Sequence, residues 1–452
     1  MTHDLTRGSI LKNLLMVSIP TMIGFSAQMI YDIVDIFWLG RISGQAIAGV
    51  TVFSTIFWIV ESLNEIIGVS SISLISQAFG KKDIPGTHRA IEQTITFKFI
   101  VASLAALFLA LFLKPIMGFF SDATVTSMGL EYGYLRLFFL PIMFSSYSVN
   151  TALRCIGDAK TPMFIMLGTS LFNLILDPFL IFETVPVLGC PGAGLGIFGA
   201  ALATVFSQTL AFLTGFTLLF SGKRGIKPSL KRLFRLDKSL DKKLITIGLP
   251  NGVEIFLRNI SMAAILKYVS IFGTAAIAAY GIGGRLIGIA FMPLVGLSMG
   301  GSAIVGQCLG AENVSRAKQT CRISAFLSAS VMALFTGLAV FWGKFFIRLF
   351  SDNPEVISIG ADFLRYATFA LIFIGVGFGL SIAFSGSGYN LPFLVSSIIG
   401  RWAFQIPFLI IAVTLLHGPL LFVWISFIIG DIAELSALVL FYRQGKWQTK
   451  RV

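Results

Sequence analysis

Apolar runs of about 20 residues, each closed by a turn or a charge cluster, follow one another along the whole chain. They predict helices near 14–39, 46–72, 94–120, 132–154, 162–184, 194–221, 244–272, 275–308, 321–345, 361–384, 393–416 and 419–442. The twelve runs form two sets of six, because the pattern repeats at an offset of 230 residues. Pro20 recurs as Pro250, Gln77 and Gly80 as Gln307 and Gly310, Ser121-Asp122 as Ser351-Asp352, and Pro162 as Pro392. The register then slips by one, so that Pro178-Phe179-Leu180-Ile181 returns as Pro407-Phe408-Leu409-Ile410. The expected fold is an all-α membrane protein of twelve transmembrane helices in two six-helix lobes, residues 1–221 and 244–452, joined by a basic linker over 222–243. Six spans per lobe give both lobes the same orientation. A pseudo-twofold along the membrane normal follows, with a substrate path between the lobes.

Composition agrees with the pattern. At 56% hydrophobic and 12% charged residues, the chain has more apolar surface than a water-soluble fold can hide, whereas lipid solvates it. The formal charge of +13 points towards nucleic acid until the basic residues are placed. With the amino terminus in the cytoplasm, 23 Lys and Arg fall on that side, nine of them from Lys223 to Lys243. Six face the other way: Arg41, Lys114, Arg136, Lys344, Arg348 and Arg365. This is the positive-inside asymmetry, which predicts a multi-pass protein of the cell membrane with both termini cytoplasmic and no nucleic-acid partner. The first apolar run is too long for a cleaved leader and lacks a small-residue cleavage site, so it is expected to remain as an anchor. Cys155, Cys190, Cys308 and Cys321 show no metal or disulfide spacing.

Two enzyme-like patterns carry no catalytic reading. Gly194-x-Gly196-x-x-Gly199 enters an apolar helix with no strand before it, and Gly296-x-Ser298-x-Gly300 lies inside one, with His3, His88 and His417 all in terminal or loop positions. Small residues four apart, as at Gly192/Gly196 and Gly296/Gly300, instead allow close helix approach in lipid. No enzyme activity and no cofactor is expected.

Charges inside the spans carry more information, since each costs on the order of 2.5–3.5 kcal/mol at a helix centre unless it is paired or functional. In the second half, Glu254 and Arg258 stand at i,i+4, and Arg285, Arg401, Asp431 and Glu434 are placed to neutralise one another across helices 8, 11 and 12. Lys267 lies near a helix end, where it can snorkel. The first half holds Asp32, Asp35, Glu61, Glu65 and Asp177, with Lys98 and Arg136 placed towards helix ends and so off the level of the acids. Five acids without a base cannot all be charged in a low-dielectric site, so they hold protons or bind a cation. Asp35 and Asp177 share the outer half of the bilayer, Asn173 lies one turn from Asp177, and Thr204 reaches similar depth from helix 6. Two carboxylates, an amide oxygen and a hydroxyl suit Na⁺ or a proton.

The run Tyr31-Asp32-Ile33-Val34-Asp35-Ile36-Phe37-Trp38-Leu39-Gly40, the segment Asn173-Leu174-Ile175-Leu176-Asp177-Pro178, Gly199-Ala200-Ala201-Leu202-Ala203-Thr204, Gln77-Ala78-Phe79-Gly80 and Val305-Gly306-Gln307-Cys308-Leu309-Gly310-Ala311 resemble the matching parts of multidrug and toxic compound extrusion (MATE) transporters. The resemblance spans the chain and is nearest the DinF-type and archaeal branch. It implies a cation site at Asp35, Asn173, Asp177 and Thr204 and a helix 1 that bends at Pro20. At Asp32 the chain has an acid where related members often have Asn, and it lacks the helix 10 acid of another bacterial branch. The expected function is antiport of H⁺ or Na⁺ against an amphipathic, cationic, drug-like compound, by a monomer in contact with membrane lipid. The 44 Phe and 13 Met offer adaptable surfaces for such compounds. The alternative, a flippase for a lipid-linked anionic precursor, requires a basic cavity built from Arg258, Arg285 and Arg401.

Overall fold

In the computed structural model, residues 4–186, 188–223, 225–233 and 235–452 are described; His3 and the linker residue Arg224 lie outside them. The chain is helical throughout, with one isolated bridge between Thr184 and Pro191 among the described residues. In chain order the helices are α1 (Ile10–Ile42), α2 (Gly44–Gly80), α3 (Ile84–Phe120), α4 (Ala123–Phe138), α5 (Leu140–Cys155), α6 (Lys160–Ile181) and α7 (Gly196–Phe220). After a linker follow α8 (Lys238–Ser270), α9 (Thr274–Gly310), α10 (Val314–Arg348), α11 (Pro354–Ser387), α12 (Leu391–Leu415) and α13 (Leu421–Gln444).

Ten of these helices are long and apolar enough to cross a membrane. α8 and the α4–α5 pair complete the twelve spans. The predicted run 132–154 is not one helix: it divides at Phe139, whose backbone leaves the helical region (φ −94°, ψ 2°), and Pro141 follows, unable to donate to the preceding turn. α12 begins as α-helix and contains two π-helical stretches, Ile398–Gln405 and Ile410–Leu415. Such widened turns recur at functional or packed polar positions.

The duplication extends to the joints. Lys82 (φ 62°) and Glu312 (φ 60°) adopt the same left-handed turn at the 230-residue offset. Asp83 and Asn313 follow as N-caps of α3 and α10, their side chains accepting from Gly86 N at 2.8 Å and Arg316 N at 3.0 Å. Lipid-facing positions recur as well: Leu104 and Leu334 are each 63% exposed.

The chain forms two compact units. Residues Ile23–Thr246 belong to the first; Leu5–Met22 and Ile247–Val452 belong to the second. The change of unit within α1 therefore falls two residues after Pro20. In the second unit the segment before α1 is tied down by Gln307, which accepts from Leu5 N at 3.2 Å, and by Arg316, which donates to the Leu5, Arg7 and Gly8 carbonyls at 3.2, 2.9 and 2.8 Å. In the first unit, the linker before α8 is tied to α3 in the same manner. Lys227 N donates to His88 Nε2 at 3.0 Å, Ser229 N to Glu92 Oε1 at 2.5 Å, and Thr96 Oγ1 to the Leu233 carbonyl at 2.6 Å.

Candidate cation-coupling site

The small residues at the start of α7 let it lie against the end of α6. A Cβ added at Gly199 would come within 2.4 Å of the Leu180 carbonyl oxygen, so only glycine permits this approach. The Gly194–Gly199 pattern is thus a packing device. In the second unit, Cβ atoms at Gly296 and Gly300 would meet Ser18 O at 2.7 Å and Ser18 Oγ at 2.6 Å, which explains the second enzyme-like pattern in the same way.

Close packing of α6 and α7 brings their polar residues together. Asn173 and Asp177 share a face of α6 at i,i+4. The Asn173 amide donates from Nδ2 to Asp177 Oδ2 at 3.2 Å and accepts the Thr204 backbone N–H on its oxygen at 3.3 Å. The Thr204 hydroxyl donates to the Ala200 carbonyl at 3.1 Å, which leaves its lone pairs free. Asp35 comes from α1. Asp177 is fully buried and Asp35 is 7% exposed. Among the described residues Asp35 is the charged group that acts on Asp177, and Asp35 Oδ1 has no hydrogen-bond partner among them. The structure thus links Asn173, Asp177 and Thr204 by hydrogen bonds, with the buried Asp35 of α1 in the same unit and within electrostatic range of Asp177. Among the described residues no three His, Cys, Asp or Glu side chains cluster as a metal site.

Two residues of this site were not singled out from the sequence. The Tyr132 hydroxyl accepts from Arg136 Nη1 at 2.8 Å, and Tyr132 also acts on the Asp35 carboxylate. Arg136 also faces Asp32 and Asp35 electrostatically. The i,i+4 spacing of Tyr132 and Arg136 is the signal that could have found them.

The expectation that no base shares the depth of these acids is therefore corrected. α3 begins at Ile84 and α4 at Ala123, both well before the predicted starts, so Lys98 lies well inside α3, and Arg136, in the last turn of α4, lies near the middle of the α4–α5 stretch. Lys98 is 1% exposed; its Nζ donates to Asn64 Oδ1 at 2.5 Å, and Asn64 Nδ2 donates to Glu61 Oε2 at 3.1 Å. Glu65 adds a second negative charge against Lys98. Glu61 and Glu65 are half-buried and answered by a base, and Asp32 is exposed. What remains, among the described residues, without a basic group acting on it is Asp177.

In the second unit the buried charges are paired. Arg258 donates to Glu254 Oε1 at 2.5 Å and to Glu434 Oε1 at 2.8 Å. Arg401 donates to Asp431 Oδ1 at 2.6 Å and to Gln405 Oε1 at 2.8 Å, and lies 3.6 Å from Glu434 Oε2. Arg285 is exposed and enters none of these ion pairs, contrary to the expectation that it would join them. Gly283, which packs inward on α9, and Arg285, two residues later and so about 200° further round the helix, lie on opposite faces, a distinction that periodicity in an all-apolar helix does not make. Lys267 is exposed, as snorkelling requires.

Comparison with known proteins gives one consistent answer. The family model described as MatE matches residues 20–179 and 250–411, once in each half. The probable multidrug resistance protein YpnP of Bacillus subtilis (strain 168) is 28% identical, the alignment covering 100% of this chain and 98% of that protein. The probable multidrug resistance protein NorM of Thermotoga maritima is 26% identical over 98% of this chain and 94% of its own. Among solved structures, one described as MATE in the straight conformation superposes with a TM-score of 0.89 at 22% identity, covering 98% of this chain and 97% of that one.

Proposed function

The chain belongs to the MATE family of membrane transporters, which are not enzymes, and from that premise we propose that it is a secondary antiporter driven by H⁺ or Na⁺ entering at Asp35 and Asp177. The observation that carries the reading is the burial of both carboxylates in one unit, close enough to act on each other electrostatically, with no basic group among the described residues acting on Asp177. Two adjacent buried carboxylates retain a shared proton or a bound cation, because both cannot be charged and unneutralised in a low-dielectric site. Asn173 and Thr204 supply further oxygens for Na⁺. Ion entry changes the charge in the C-terminal part of α1, and Pro20, which removes one backbone hydrogen bond, gives that helix a place to bend. Cargo release and ion entry are then linked through one element, as alternating access requires.

In this reading the protein is a monomer of the cell membrane, with both termini and the basic linker in the cytoplasm, and its cargo is an amphipathic, drug-like compound. A flippase has less support, because Arg258 and Arg401, two of the three arginines it would need, are engaged in ion pairs. The experiment is reconstitution into liposomes with Na⁺ and pH gradients imposed separately, following cationic, neutral and anionic dyes together with lipid flux. Dye efflux that follows neither gradient would overturn the antiport reading.

A further inference from the structure

A pocket in the first unit opens among α1, α5, α6 and α7, and its chemistry narrows the cargo class of the exporter reading, on which this inference rests. Its polar lining includes Gln28, Tyr31, Tyr147, Asn150, Arg154 and Gln208. Two contacts hold that lining in place: Gln28 Nε2 donates to the Tyr147 hydroxyl at 3.3 Å, and Gln208 Nε2 to the Tyr31 hydroxyl at 3.5 Å. Arg154 is the sole charged residue of the lining and is 4% exposed. Among the described residues its one hydrogen bond runs from Nη2 to Thr151 Oγ1 at 3.0 Å, and the Phe25 ring centroid lies 5.7 Å from its guanidinium carbon.

A guanidinium has five N–H donors in a planar fork, matched to the two oxygens of a carboxylate or phosphate. Here one donor is used. Glu65 on α2 acts on Arg154 at longer range without an ion pair, and Glu61 and Glu65 are already faced by Lys98. The duplicated half shows what a satisfied buried arginine looks like. Gln28 corresponds at the 230-residue offset to Arg258, and that arginine is held by Glu254 and Glu434. The second unit neutralises its buried guanidinium groups with its own carboxylates; the first presents one to a pocket whose lining contains none.

We propose that this pocket recognises the anionic group of an amphipathic compound, with Arg154 binding a carboxylate or phosphate and the surrounding amides and phenols hydrogen-bonding to its other polar atoms. Arg154 is then the specificity-determining residue for cargo charge. A cationic compound entering the pocket would meet a like charge and no acid in the lining, which disfavours the cationic cargo expected from the sequence.

The test is equilibrium binding by the purified full-length protein in nanodiscs, without ion gradients, measured by calorimetry against protein-free discs. One probe set shares a ring: 2-naphthylacetate, 2-naphthylethanol and 2-naphthylethylammonium. Riboflavin and riboflavin 5′-phosphate form the second set and isolate phosphate from carboxylate. Wild-type protein is expected to prefer the anionic member of at least one set by about tenfold or more over its neutral partner, the scale of a charge-assisted hydrogen-bond pair. Arg154→Gln should remove that preference and leave the affinity for the neutral member within about twofold; Arg154→Lys should retain part of it. Equal binding across both sets in the wild type, a preference for the ammonium compound, or an anion preference that survives intact in Arg154→Gln would overturn the proposal. The wild-type ratio is read without any variant, so poor folding of a mutant does not protect the idea. Binding is measured with no gradient, so its failure is separable from a failure of ion coupling in liposomes.

Discussion

At the 230-residue offset Asp35 of the first unit becomes Ile265 of the second, and one register step away Asp177 becomes Ile406. Ile265 is 1% exposed and packs in an apolar cluster with Val269, Phe363 and Trp424. The same scaffold position is therefore a buried carboxylate in one half and core hydrocarbon in the other. The second unit is not without charge: Glu254, Arg258, Arg401, Asp431 and Glu434 form a buried network, but each arginine there lies against carboxylates of its own unit. Duplication has kept caps, turns and packing faces while the buried charges diverged. One half pairs its charges with each other, whereas the other keeps Asp177 without a basic group acting on it and Arg154 without an ion pair among the described residues.

The largest effect expected from that contrast is on coupling. We predict that Asp35→Asn and Asp177→Asn each abolish gradient-driven export, reducing it to the leak of empty liposomes, with the protein still inserted and folded. An amide keeps the shape and hydrogen bonding of a protonated carboxyl and removes the exchangeable proton or cation charge. Counter-flow in proteoliposomes with radioactive or fluorescent cargo measures it. Ile265→Asp is the complementary variant: if position alone made the site, it would add a second ion response, whereas a mere loss of stability is expected. Full export by both Asn variants would move the search to Asp431 and Glu434.

A second prediction concerns stability and distinguishes the halves in the opposite direction. Arg401→Met leaves Asp431 buried without its partner, and breaking a buried pair from one side costs about 3–5 kcal/mol. Replacing both members, Arg401→Met with Asp431→Leu, should recover most of that loss, because the pair's attraction mainly offsets its own desolvation. Thermal unfolding in detergent, followed by tryptophan fluorescence, gives the comparison. Export per folded molecule in the double variant is expected to remain above half that of the wild type. If the double variant folds well yet loses all export, the second-unit network takes part in transport.

How much of this was visible in the sequence follows from what each feature depends on. Span number and the two-unit plan depend on apolar length and internal repetition, both of which a one-dimensional reading measures directly; the four oxygen-bearing residues were expected together from helix depth, and Asn173 does hydrogen-bond to Asp177 and Thr204. Lys98 and Arg136 were misplaced because depth was counted from predicted helix starts, and α3 and α4 begin well before those starts. The break at Phe139 was hidden inside an unbroken apolar run. Arg285 shows a different limit: in a helix apolar on all sides, periodicity does not reveal which face looks inward. The pocket at Arg154 depends on which arginines lack an acid nearby, which only the packed helices reveal.

Pro20 and Pro250 occupy equivalent positions, yet α1 changes unit two residues after its proline and carries Asp35 further along, whereas α8 carries Ile265. We predict that Pro20→Ala slows exchange about tenfold with cargo binding unchanged, since it restores a backbone donor and stiffens the helix that bears the ion site. Pro250→Ala should slow exchange less than Pro20→Ala. Stopped-flow release from proteoliposomes reads the rates, and equal slowing by the two variants would show that the hinge is a property of the scaffold and not of the ion-bearing half.

The smallest effect should be the same in both halves. Asp83 and Asn313 cap α3 and α10 from matching left-handed turns, each accepting one backbone N–H at the first turn of its helix. Loss of such a cap costs about 1 kcal/mol, within a range of roughly 0.5–2. Asp83→Ala and Asn313→Ala are therefore expected to lower thermal stability by similar small amounts and to leave ion-driven export per folded molecule unchanged. Asp83 brings a negative charge to the helix N-terminus that Asn313 lacks, so its loss should cost a few tenths of a kcal/mol more at low salt, and the difference should shrink as salt is added. A large, salt-independent disparity between the two variants would mean that the halves have diverged in their joints as well as in their buried charges, and the division between a shared scaffold and one-sided chemistry would no longer hold.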